Sequence, residues 1–403
     1  MRLEQPTAHP PDRRQLAATD VPAADVPGLY VHVPFCFHKC HYCDFYSITR
    51  QTPERMARFV DLVLREADMW AGSHVRVRPQ SVFFGGGTPS LLEASQMRRL
   101  IAGLRDRFDF DACDEFTVEV NPATASAEYC EMLRAAGVDR LSFGAQSFDP
   151  AELKLLERHH DPADVPASIA LARAAGFARL NVDLIYALPG QTVDQWAYSL
   201  DRAIELATPH VSCYALTYEP NTAMTVRKRL GQFVACPDEL ELDMMRYTRD
   251  RLGRAGLTAY EISNYAVEGE ACRHNLLYWT GGSYIGLGPS AASHVEGWRW
   301  KNRPHLGEWE TAVDAGHLPA ADFEVLTPAQ RAGEWVMLRM RLAGGIQFSD
   351  YAERWGRDAR AVYAPQLAQL SKVGLLDVTG ERFALSERGI AVADAVAGEF
   401  LAD

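Results

Sequence analysis

The sequence lacks a long apolar run. No stretch of its 403 residues approaches the ~18 consecutive apolar residues that a membrane-spanning helix needs. Residues 1–27 also lack the apolar core of a secretory signal, and their mixture of Pro, Ala, Asp and Arg is typical of a flexible arm. We therefore expect no transmembrane segment and no cleaved leader, while transient docking at a membrane surface stays open.

Positive charge and cysteine are both scarce. The chain has 41 Lys and Arg against 53 Asp and Glu, a net charge of -12, and no basic run that would attract a nucleic acid. Its eight cysteines do not suggest a disulfide framework, because three crowd into residues 36–43 and five are scattered singly. The composition argues against a nucleic-acid partner and favours a reducing compartment, the cytoplasm.

Short β-rich runs alternate with longer helical patterns from Gly28 to about Leu216. This alternation is typical of βα units on a parallel sheet, and six such units predict an α/β fold with a partial (β/α)6 barrel over residues 28–235. An open doubly wound sheet shares the pattern, so the alternation alone leaves that architecture open. The candidate strands are Leu29 to Val33, Ser81 to Phe84, Phe116 to Val120, Arg140 to Phe143, Leu180 to Leu184 and Val211 to Leu216.

Polar and reactive residues lie where these candidate strands end. The crowded cysteines follow the first strand and a glycine run follows the second. Glu119 ends the third strand, Gln146 follows the fourth, and Asp183 lies near the end of the fifth. Because parallel barrels carry their chemistry at the carboxyl ends of the strands, we expect these residues to meet at one face of the sheet.

The alternation fades after residue 217, where residues 236–320 are predicted to be a connecting segment. Residues 321–403 show helical runs followed by a hairpin, which predicts a smaller winged-helix-like domain. From Ala321 onward nine Lys and Arg stand against twelve Asp and Glu, whereas a DNA-binding module is normally basic. We therefore interpret this domain as a lid or docking surface.

Three cysteines are spaced C-x3-C-x2-C in the segment YVHVPFCFHKCHYCDFY, residues 30–46. A fully ligated [4Fe-4S] cluster uses four cysteines, so Cys36, Cys40 and Cys43 would leave one iron open to another chelator. The alternative is a zinc site of Cys3His type, completed by His38 or His41. The spacing alone leaves both interpretations open.

A glycine run, FFGGGTPS at residues 83–90, follows the second candidate strand. Consecutive glycines let the backbone approach a ligand without interference from Cβ atoms. A zinc site has no use for such a run, and the Lys of a phosphate-binding P-loop does not follow it. The run therefore favours an amino-acid-bearing ligand beside an iron–sulfur cluster.

The cysteine motif and GGGTP together resemble radical S-adenosylmethionine (SAM) proteins, and within them the oxygen-independent coproporphyrinogen III oxidase family. The resemblance extends from Tyr30 through the C-terminal module. It implies that the amino and carboxylate groups of SAM chelate the open iron. It also implies that an electron from the reduced cluster cleaves SAM to methionine and a 5′-deoxyadenosyl radical.

The resemblance further implies a set of SAM contacts. Glu119 and Arg158 would pair with the ammonium and carboxylate of SAM, and Asp183 would accept hydrogen bonds from the ribose. Tyr42 would lie against the adenine. Ala187 departs from the family, whose members often have Gly there. The implied SAM contacts are Tyr30, Tyr42, Gly86, Gly87, Thr88, Glu119, Gln146, Arg158 and Asp183.

Two features resemble the heme-chaperone branch of the family, HemW, more closely than the oxidase branch. The oxidases have a further cysteine two residues after the third ligand, where this chain has Phe45. The segments RHNLLYW, residues 273–279, and YIGLGPSA, residues 284–291, resemble the HNxxYW region of the chaperones. The resemblance therefore implies heme as a third cofactor.

His274 is the candidate heme ligand within this region, since imidazole is the commonest axial donor. An alternative role for His274 is to orient its neighbours through hydrogen bonds. Three other residues compete as the axial ligand: His32, His294 and Cys272.

Three functions follow from these observations. The favoured one is a heme chaperone that binds heme and transfers it to an acceptor protein, with the cluster and SAM in a regulatory or modifying role. The alternative is an oxygen-independent coproporphyrinogen III oxidase, in which the 5′-deoxyadenosyl radical removes hydrogen from propionate side chains. A zinc-bound nucleic-acid module is disfavoured by the acidic charge and the glycine run.

Overall fold

The computed structural model of the protein describes residues 16–401. Its strands are β1 Asp25–Val33, β2 Arg76–Gly86, β3 Glu115–Val120, β4 Arg140–Gln146, β5 Arg179–Tyr186, β6 His210–Ala215, β7 Thr258–Ala259, β8 Asn264–Ala266, β9 Tyr284–Leu287, β10 Ala292–Val295, β11 Trp298–Asn302, β12 Ala320–Val325, β13 Ile346–Gln347, β14 Leu376–Val378 and β15 Arg382–Leu385. Its helices are α1 Pro53–Ala71, α2 Ala94–Arg105, α3 Ala127–Ala135, α4 Pro150–Leu155, α5 Asp164–Ala174, α6 Val193–Glu205, α7 Ala223–Arg229, α8 Asp238–Arg254, α9 Arg273–Trp279, α10 Leu306–Asp314, α11 Pro328–Arg339, α12 Phe348–Trp355, α13 Ala359–Val362, α14 Ala364–Lys372, α15 Glu387–Ile390 and α16 Ala393–Gly398.

The first six strands form a parallel sheet in chain order. Each of β1 to β5 pairs in parallel with the strand that follows it, and at least one helix connects each of these strands to the next. Their side chains are buried on both faces, as the residues of β3 illustrate. The predicted α/β fold with six βα units is confirmed, and all six candidate strands lie within β1 to β6 or extend one residue beyond them.

Helix α1 illustrates how the sequence builds the layer outside this sheet. Thr52 caps its first turn by accepting a hydrogen bond from the backbone N–H of Arg55, and Pro53 occupies the first helical position. Apolar residues recur on one face, which includes Phe59, Val63 and other buried side chains. This face packs into the main hydrophobic core, which is shared by the sheet and its flanking helices.

Residues 236–320 do more than connect two domains, because their strands extend the same sheet at both ends. Strand β8 pairs antiparallel with β6 and β7 pairs antiparallel with β8, while β9 pairs parallel with the free side of β1. Strands β10, β11 and β12 continue as an antiparallel meander and complete a sheet of twelve strands. These strands have two to six residues each, which is too short for a clear alternation of apolar and polar residues in the sequence.

The C-terminal part forms a second, smaller core. Helix α11, strand β13, helices α12 to α14 and the hairpin of β14 and β15 follow one another in the order of a winged helix. Their buried side chains form a hydrophobic cluster of their own. The predicted winged-helix-like outline is confirmed, although β13 and α12 carried no signal that sequence reasoning identified.

Of the arm expected over residues 1–27, residues 1–15 lie outside the described residues. Residues 16–27 are packed: Val21 and Val26 are fully buried, and β1 begins at Asp25. The expected flexibility therefore does not describe residues 16–27. Within residues 16–401, none of the helices has the length and apolar character required to cross a membrane.

Candidate functional site

A cavity of about 1030 Å³ opens at the carboxyl ends of strands β1 to β6. Eleven of the thirteen predicted site residues line it, as the barrel rule predicts. The two that do not line it are Tyr30 and His274. The lining residues among the predicted ones are Cys36, Cys40, Cys43, Tyr42, Gly86, Gly87, Thr88, Glu119, Gln146, Arg158 and Asp183.

The three cysteines lie on a loop that leaves β1 and closes on itself. The backbone N–H of Cys36 donates to the carbonyl of Ile48 at 3.0 Å, and the N–H of Cys43 donates to the carbonyl of Cys40 at 3.2 Å. All three thiols are free and partly exposed. Burial raises the pKa of the Cys36 thiol, and it raises that of Cys43 to about 11. Such thiols ionise readily only beside a strong positive charge, which iron ions supply.

The glycine run brings the end of β2 against the start of this loop. The N–H of Gly87 donates to the carbonyl of Val33 at 2.8 Å, and the N–H of Thr88 donates to that of Phe35 at 2.7 Å. A Cβ atom on Gly87 would lie 2.7 Å from each of these carbonyl oxygens. Gly86 has a φ of +102°, a conformation that favours glycine. The glycine run is therefore needed for close contact between two loops of the protein. The sequence analysis had explained the run by contact with a ligand.

Glu119 presents a carboxylate with few partners to the cavity. Its Oε2 accepts a hydrogen bond from the N–H of Gly86 at 3.2 Å, and this is the one hydrogen bond to the carboxylate from within residues 16–401. Burial, together with the negative charge of Asp183, raises the pKa of Glu119 to about 8. A carboxylate in this position suits a cationic or N–H-donating group of a ligand.

Arg158 supplies the cationic side of the same cavity. Its Nη1 atom lies 3.9 Å from Sγ of Cys40, and its Nη2 donates to the carbonyl of Gly144. Its buried Nε atom has no hydrogen-bond partner in the described part of the chain. The structure directs the guanidinium of Arg158 to the cysteine loop, where it can meet an anion.

The remaining cavity residues are held by the ends of β4 and β5. Asp183 accepts hydrogen bonds from the Ser142 hydroxyl at 2.9 Å and from the Asn181 amide at 2.8 Å. Gln146 has a φ of +66° and turns its side chain toward the cavity. Ala187 has a φ of +60°, so the position where relatives often have Gly is a left-handed one that alanine occupies at a cost.

Tyr30 lies on β1, is partly exposed, and does not line the cavity. Its hydroxyl is 3.2 Å from Nδ1 of His32, and its ring stacks on that of Phe83. Burial and the nearby charge of Glu119 raise its pKa. The predicted contact between Tyr30 and SAM therefore stays a prediction.

His274 lies on α9, outside the cavity lining, and its ring stacks on that of Phe83 with 5.4 Å between the centroids. Its Nδ1 is 2.9 Å from the Ser81 hydroxyl, and its Nε2 is 2.8 Å from the Tyr278 hydroxyl. The side chain is 1% exposed, and burial lowers its pKa to about 4. Both ring nitrogens are thus engaged, which matches the orienting role that the sequence left open.

The competing ligand candidates are engaged as well. Both ring nitrogens of His32 and of His294 have hydrogen-bonding partners. The thiol of Cys272 is fully buried and donates to Oε1 of Glu115 at 3.3 Å. Binding of iron by any of these residues would require an existing contact to break.

Sequence reasoning missed a buried polar chain that joins the cavity to α9. From Asp183 it passes to Asn181, whose amide oxygen is 2.6 Å from Nδ1 of His210. The other nitrogen of His210 is 3.0 Å from the Tyr260 hydroxyl, which accepts from Asn275 of α9 at 3.4 Å. The signal that could have identified it was the presence of Asn and His inside otherwise apolar strands.

Comparison with known proteins agrees with this geometry. The model of the radical SAM superfamily matches residues 30–203, and that of the HemN C-terminal domain matches residues 326–392. The first match spans the cysteine loop, the glycine run and the carboxyl ends of β1 to β5. A structural zinc site at the cysteines is therefore set aside.

Curated relatives cover nearly the whole chain. Heme chaperone HemW of Mycobacterium tuberculosis is 37% identical over 375 residues, which is 92% of this chain and 93% of the relative. HemW of Escherichia coli is 33% identical over 93% of this chain and 98% of the relative. HemW of Bacillus subtilis is 31% identical over 93% of this chain and 99% of the relative.

A solved structure has the same architecture. Coproporphyrinogen III oxidase HemN from E. coli superimposes with a TM-score of 0.82 at 25% identity, and the match covers 95% of this chain and 92% of HemN. With the cysteine loop, the glycine run and the C-terminal domain all in place, the chain belongs to the radical SAM superfamily and, within it, to the HemN-related family whose curated members include the heme chaperone HemW proteins.

Proposed function

We propose that this protein is a heme chaperone, which binds heme and transfers it to an acceptor protein. The observation that carries the proposal is the likeness to curated heme chaperones over 92–93% of the chain, at 31–37% identity. The likeness includes α9, which carries the HNLLYW sequence.

The family supplies two further cofactors, a [4Fe-4S] cluster and SAM. Cys36, Cys40 and Cys43 hold the cluster, and the fourth iron is left for SAM. Glu119 pairs with the amino group of SAM, and Arg158 pairs with its carboxylate. Within residues 16–401, the Glu119 carboxylate accepts one hydrogen bond and the buried Nε of Arg158 has no partner, so both groups are available to a ligand. When bound, the reduced cluster and SAM supply one-electron chemistry to this cavity.

The cavity residues divide the remaining contacts between them. Asp183 accepts from the ribose hydroxyls, and Tyr42 forms part of the apolar wall against which adenine lies. Gly86, Gly87 and Thr88 fix the cysteine loop and offer backbone to the methionine end of SAM. Gln146 completes the rim.

His274 is the axial heme ligand that the sequence predicts, and its geometry sets the condition for that role. To coordinate iron, it must release either Ser81 or Tyr278. Tyr278→Phe frees Nε2 without opening a large cavity, so it should tighten heme binding if His274 is the ligand. His274→Ala should then remove the imidazole signature from the visible spectrum of bound heme, and an unchanged spectrum would assign His274 to an orienting role.

The alternative function is that of an oxygen-independent coproporphyrinogen III oxidase, because the architecture of HemN is shared over 95% of the chain. The loop distinguishes the two. Phe45 occupies the position of the additional oxidase cysteine, and its side chain is exposed at the rim of the cavity. This departure, together with the likeness of the whole chain to HemW, favours the chaperone.

We further propose that the protein works in the cytoplasm, where its eight free cysteines and oxygen-sensitive cluster stay reduced. Delivery to a membrane-bound acceptor would need only transient docking. The acidic C-terminal domain, with its own hydrophobic core, is the part that we assign to docking.

One sample can separate the chaperone from the oxidase. The protein is purified anaerobically, its cluster is reconstituted, and heme binding is measured beside the loss of coproporphyrinogen III with SAM and dithionite. About one heme per chain with no substrate loss is expected. Substrate loss with release of 5′-deoxyadenosine, and no retained heme, would establish the oxidase instead.

A further inference from the structure

Three side chains that the proposed function does not use converge at the rim of the cluster cavity. His38 lies between Cys36 and Cys40, while Glu157 and His159 follow α4. One ligand atom from each of His38, Glu157 and His159 lies within 4.8 Å of the other two. Two parts of the fold therefore present imidazole and carboxylate groups to a single point.

The contact between His38 and Glu157 is close but poorly directed for a hydrogen bond. Nε2 of His38 lies 3.1 Å from Oε2 of Glu157, yet within residues 16–401 this buried nitrogen has no aligned hydrogen-bond partner. The imidazole of His159 meets that of His38 edge-on, with 4.7 Å between the ring centroids. Electron-pair donors grouped without hydrogen-bond alignment suit a shared cation.

A third histidine, His41, lies beside the same carboxylate. Arg227 donates to Nδ1 of His41 at 3.1 Å, so the other nitrogen of a neutral His41 carries the proton. That nitrogen lies 3.9 Å from Oε1 of Glu157, whereas His38 lies nearest to Oε2. At this distance His41 is a neighbour of the carboxylate and not a hydrogen-bond partner.

The backbone at Glu157 is also unusual. Its φ is +57°, a left-handed conformation that suits glycine and that a glutamate adopts at a cost. This conformation ends α4, where the backbone N–H of Arg158 donates to the carbonyl of Leu153 at 2.9 Å. It brings the Glu157 carboxylate to the cavity rim, where a glycine would place none.

We propose that His38, Glu157 and His159 bind one divalent transition-metal ion of the Zn²⁺ or Fe²⁺ type, separately from the iron–sulfur cluster. Two imidazoles and a carboxylate with one open position form a donor set typical of such ions. Ligand atoms on one ion are at most about 4.2 Å apart, and rotation of the exposed His159 ring provides the adjustment. The bound ion joins the cysteine loop to the loop that carries Arg158.

The test uses holoprotein in which the cluster is reconstituted, because free cysteines would themselves bind zinc. Zn²⁺ is titrated anaerobically against a chromophoric chelator, and iron and zinc are counted after desalting. We expect one zinc per chain with the cluster iron retained. His159→Ala should weaken zinc binding by about tenfold or more, whereas His305→Ala, a matched exposed histidine, should leave it unchanged.

The Glu157→Gly variant distinguishes a loss of metal binding from a loss of stability. Glycine relieves the left-handed backbone and removes the carboxylate, so this variant should be as stable as the parent or more stable while zinc binding is lost. The proposal is overturned if the holoprotein takes up no zinc, if His159→Ala and Glu157→Gly bind it as tightly as the parent, or if zinc enters only as iron leaves.

Discussion

Replacement of Glu115 should affect one end of the barrel, where α9 lies, without affecting the cavity at the other end. It is fully buried at the start of β3, where Arg179 donates to its Oε2 at 2.7 Å. The backbone N–H groups of Arg273 and His274 donate to the same carboxylate, each at 3.1 Å. One carboxylate thus ties the start of α9 to the strand ends opposite the cysteines, and we expect Glu115→Gln to loosen α9.

The size of the effect follows from these contacts. Loss of one partner from a buried ion pair costs about 3–5 kcal/mol. Arg179 keeps the carboxylates of Asp139 at 3.0 Å and Glu270 at 3.1 Å, so we expect the lower end of this range. The two N–H groups keep an oxygen acceptor in the glutamine but lose the charge, about 1 kcal/mol each. We therefore expect urea unfolding of the Glu115→Gln variant to report a loss of about 3 kcal/mol or more, against no change for the exposed Glu128→Gln.

The pH dependence has a definite sign. Burial acts to raise the pKa of Glu115, but the charges of Arg140 and Arg179 and the backbone N–H groups that the carboxylate accepts from together lower it below its ordinary value of 4.5. A carboxyl group with a depressed pKa contributes stability above the unfolded pKa and loses it as pH falls through the folded pKa. The difference between parent and variant should therefore be full at neutral pH and shrink below about pH 4.5.

Function should divide in the same way. In folded Glu115→Gln, measured well below its unfolding transition, SAM binding should stay near that of the parent because the cavity lies at the opposite strand ends. Heme binding should weaken, since α9 carries the heme-associated sequence. The reasoning is refuted if stability is unchanged, or if SAM affinity falls while heme affinity does not.

Three further predictions concern the cavity. Gly87→Ala should lower the iron and sulfide content of the reconstituted protein, because its Cβ would lie 2.7 Å from backbone oxygens of the cysteine loop, whereas Gly253→Ala meets nothing within 4 Å and should retain the cluster. Ala187→Gly should raise the free energy of unfolding by about 1 kcal/mol, measured by urea denaturation, because it removes a left-handed alanine. Since burial raises the pKa of Glu119 to about 8, the SAM-free protein should lose stability as pH rises from about 4.5 through 8, and Glu119→Gln should abolish that loss in pH-dependent unfolding.

The barrel could be predicted from the sequence because its βα units have clear patterns of apolar residues. Strands β1 to β6 are long and apolar enough to separate from amphipathic helices such as α1. The extension of the sheet by β7 to β12 had no such signal, because a two-residue strand such as β7 has no periodicity. Its partner β8 is identified by pairing with β6, a contact between distant parts of the chain.

The site was predicted where one motif carried it and missed where several elements met. Spacing alone brought Cys36, Cys40 and Cys43 together, and strand ends brought Glu119 and Asp183 to the same cavity. The burial of His274 and the occupation of both its nitrogens depend on residues of other elements, which no local pattern in the sequence records.

The buried polar chain connects the cavity to α9 through a continuous series of hydrogen bonds. Buried polar groups are costly unless they are hydrogen-bonded, so His210 and Asn181 are retained in the barrel only as a connected set. The set ends at Asp183, which faces the cavity, and at Asn275 on α9. A ligand that draws on the carboxylate of Asp183 therefore acts on hydrogen bonds that continue to the helix bearing the heme-associated sequence. If SAM binds at Asp183 as we propose, this continuity would connect it to α9 through hydrogen bonds, without any contact between SAM and heme.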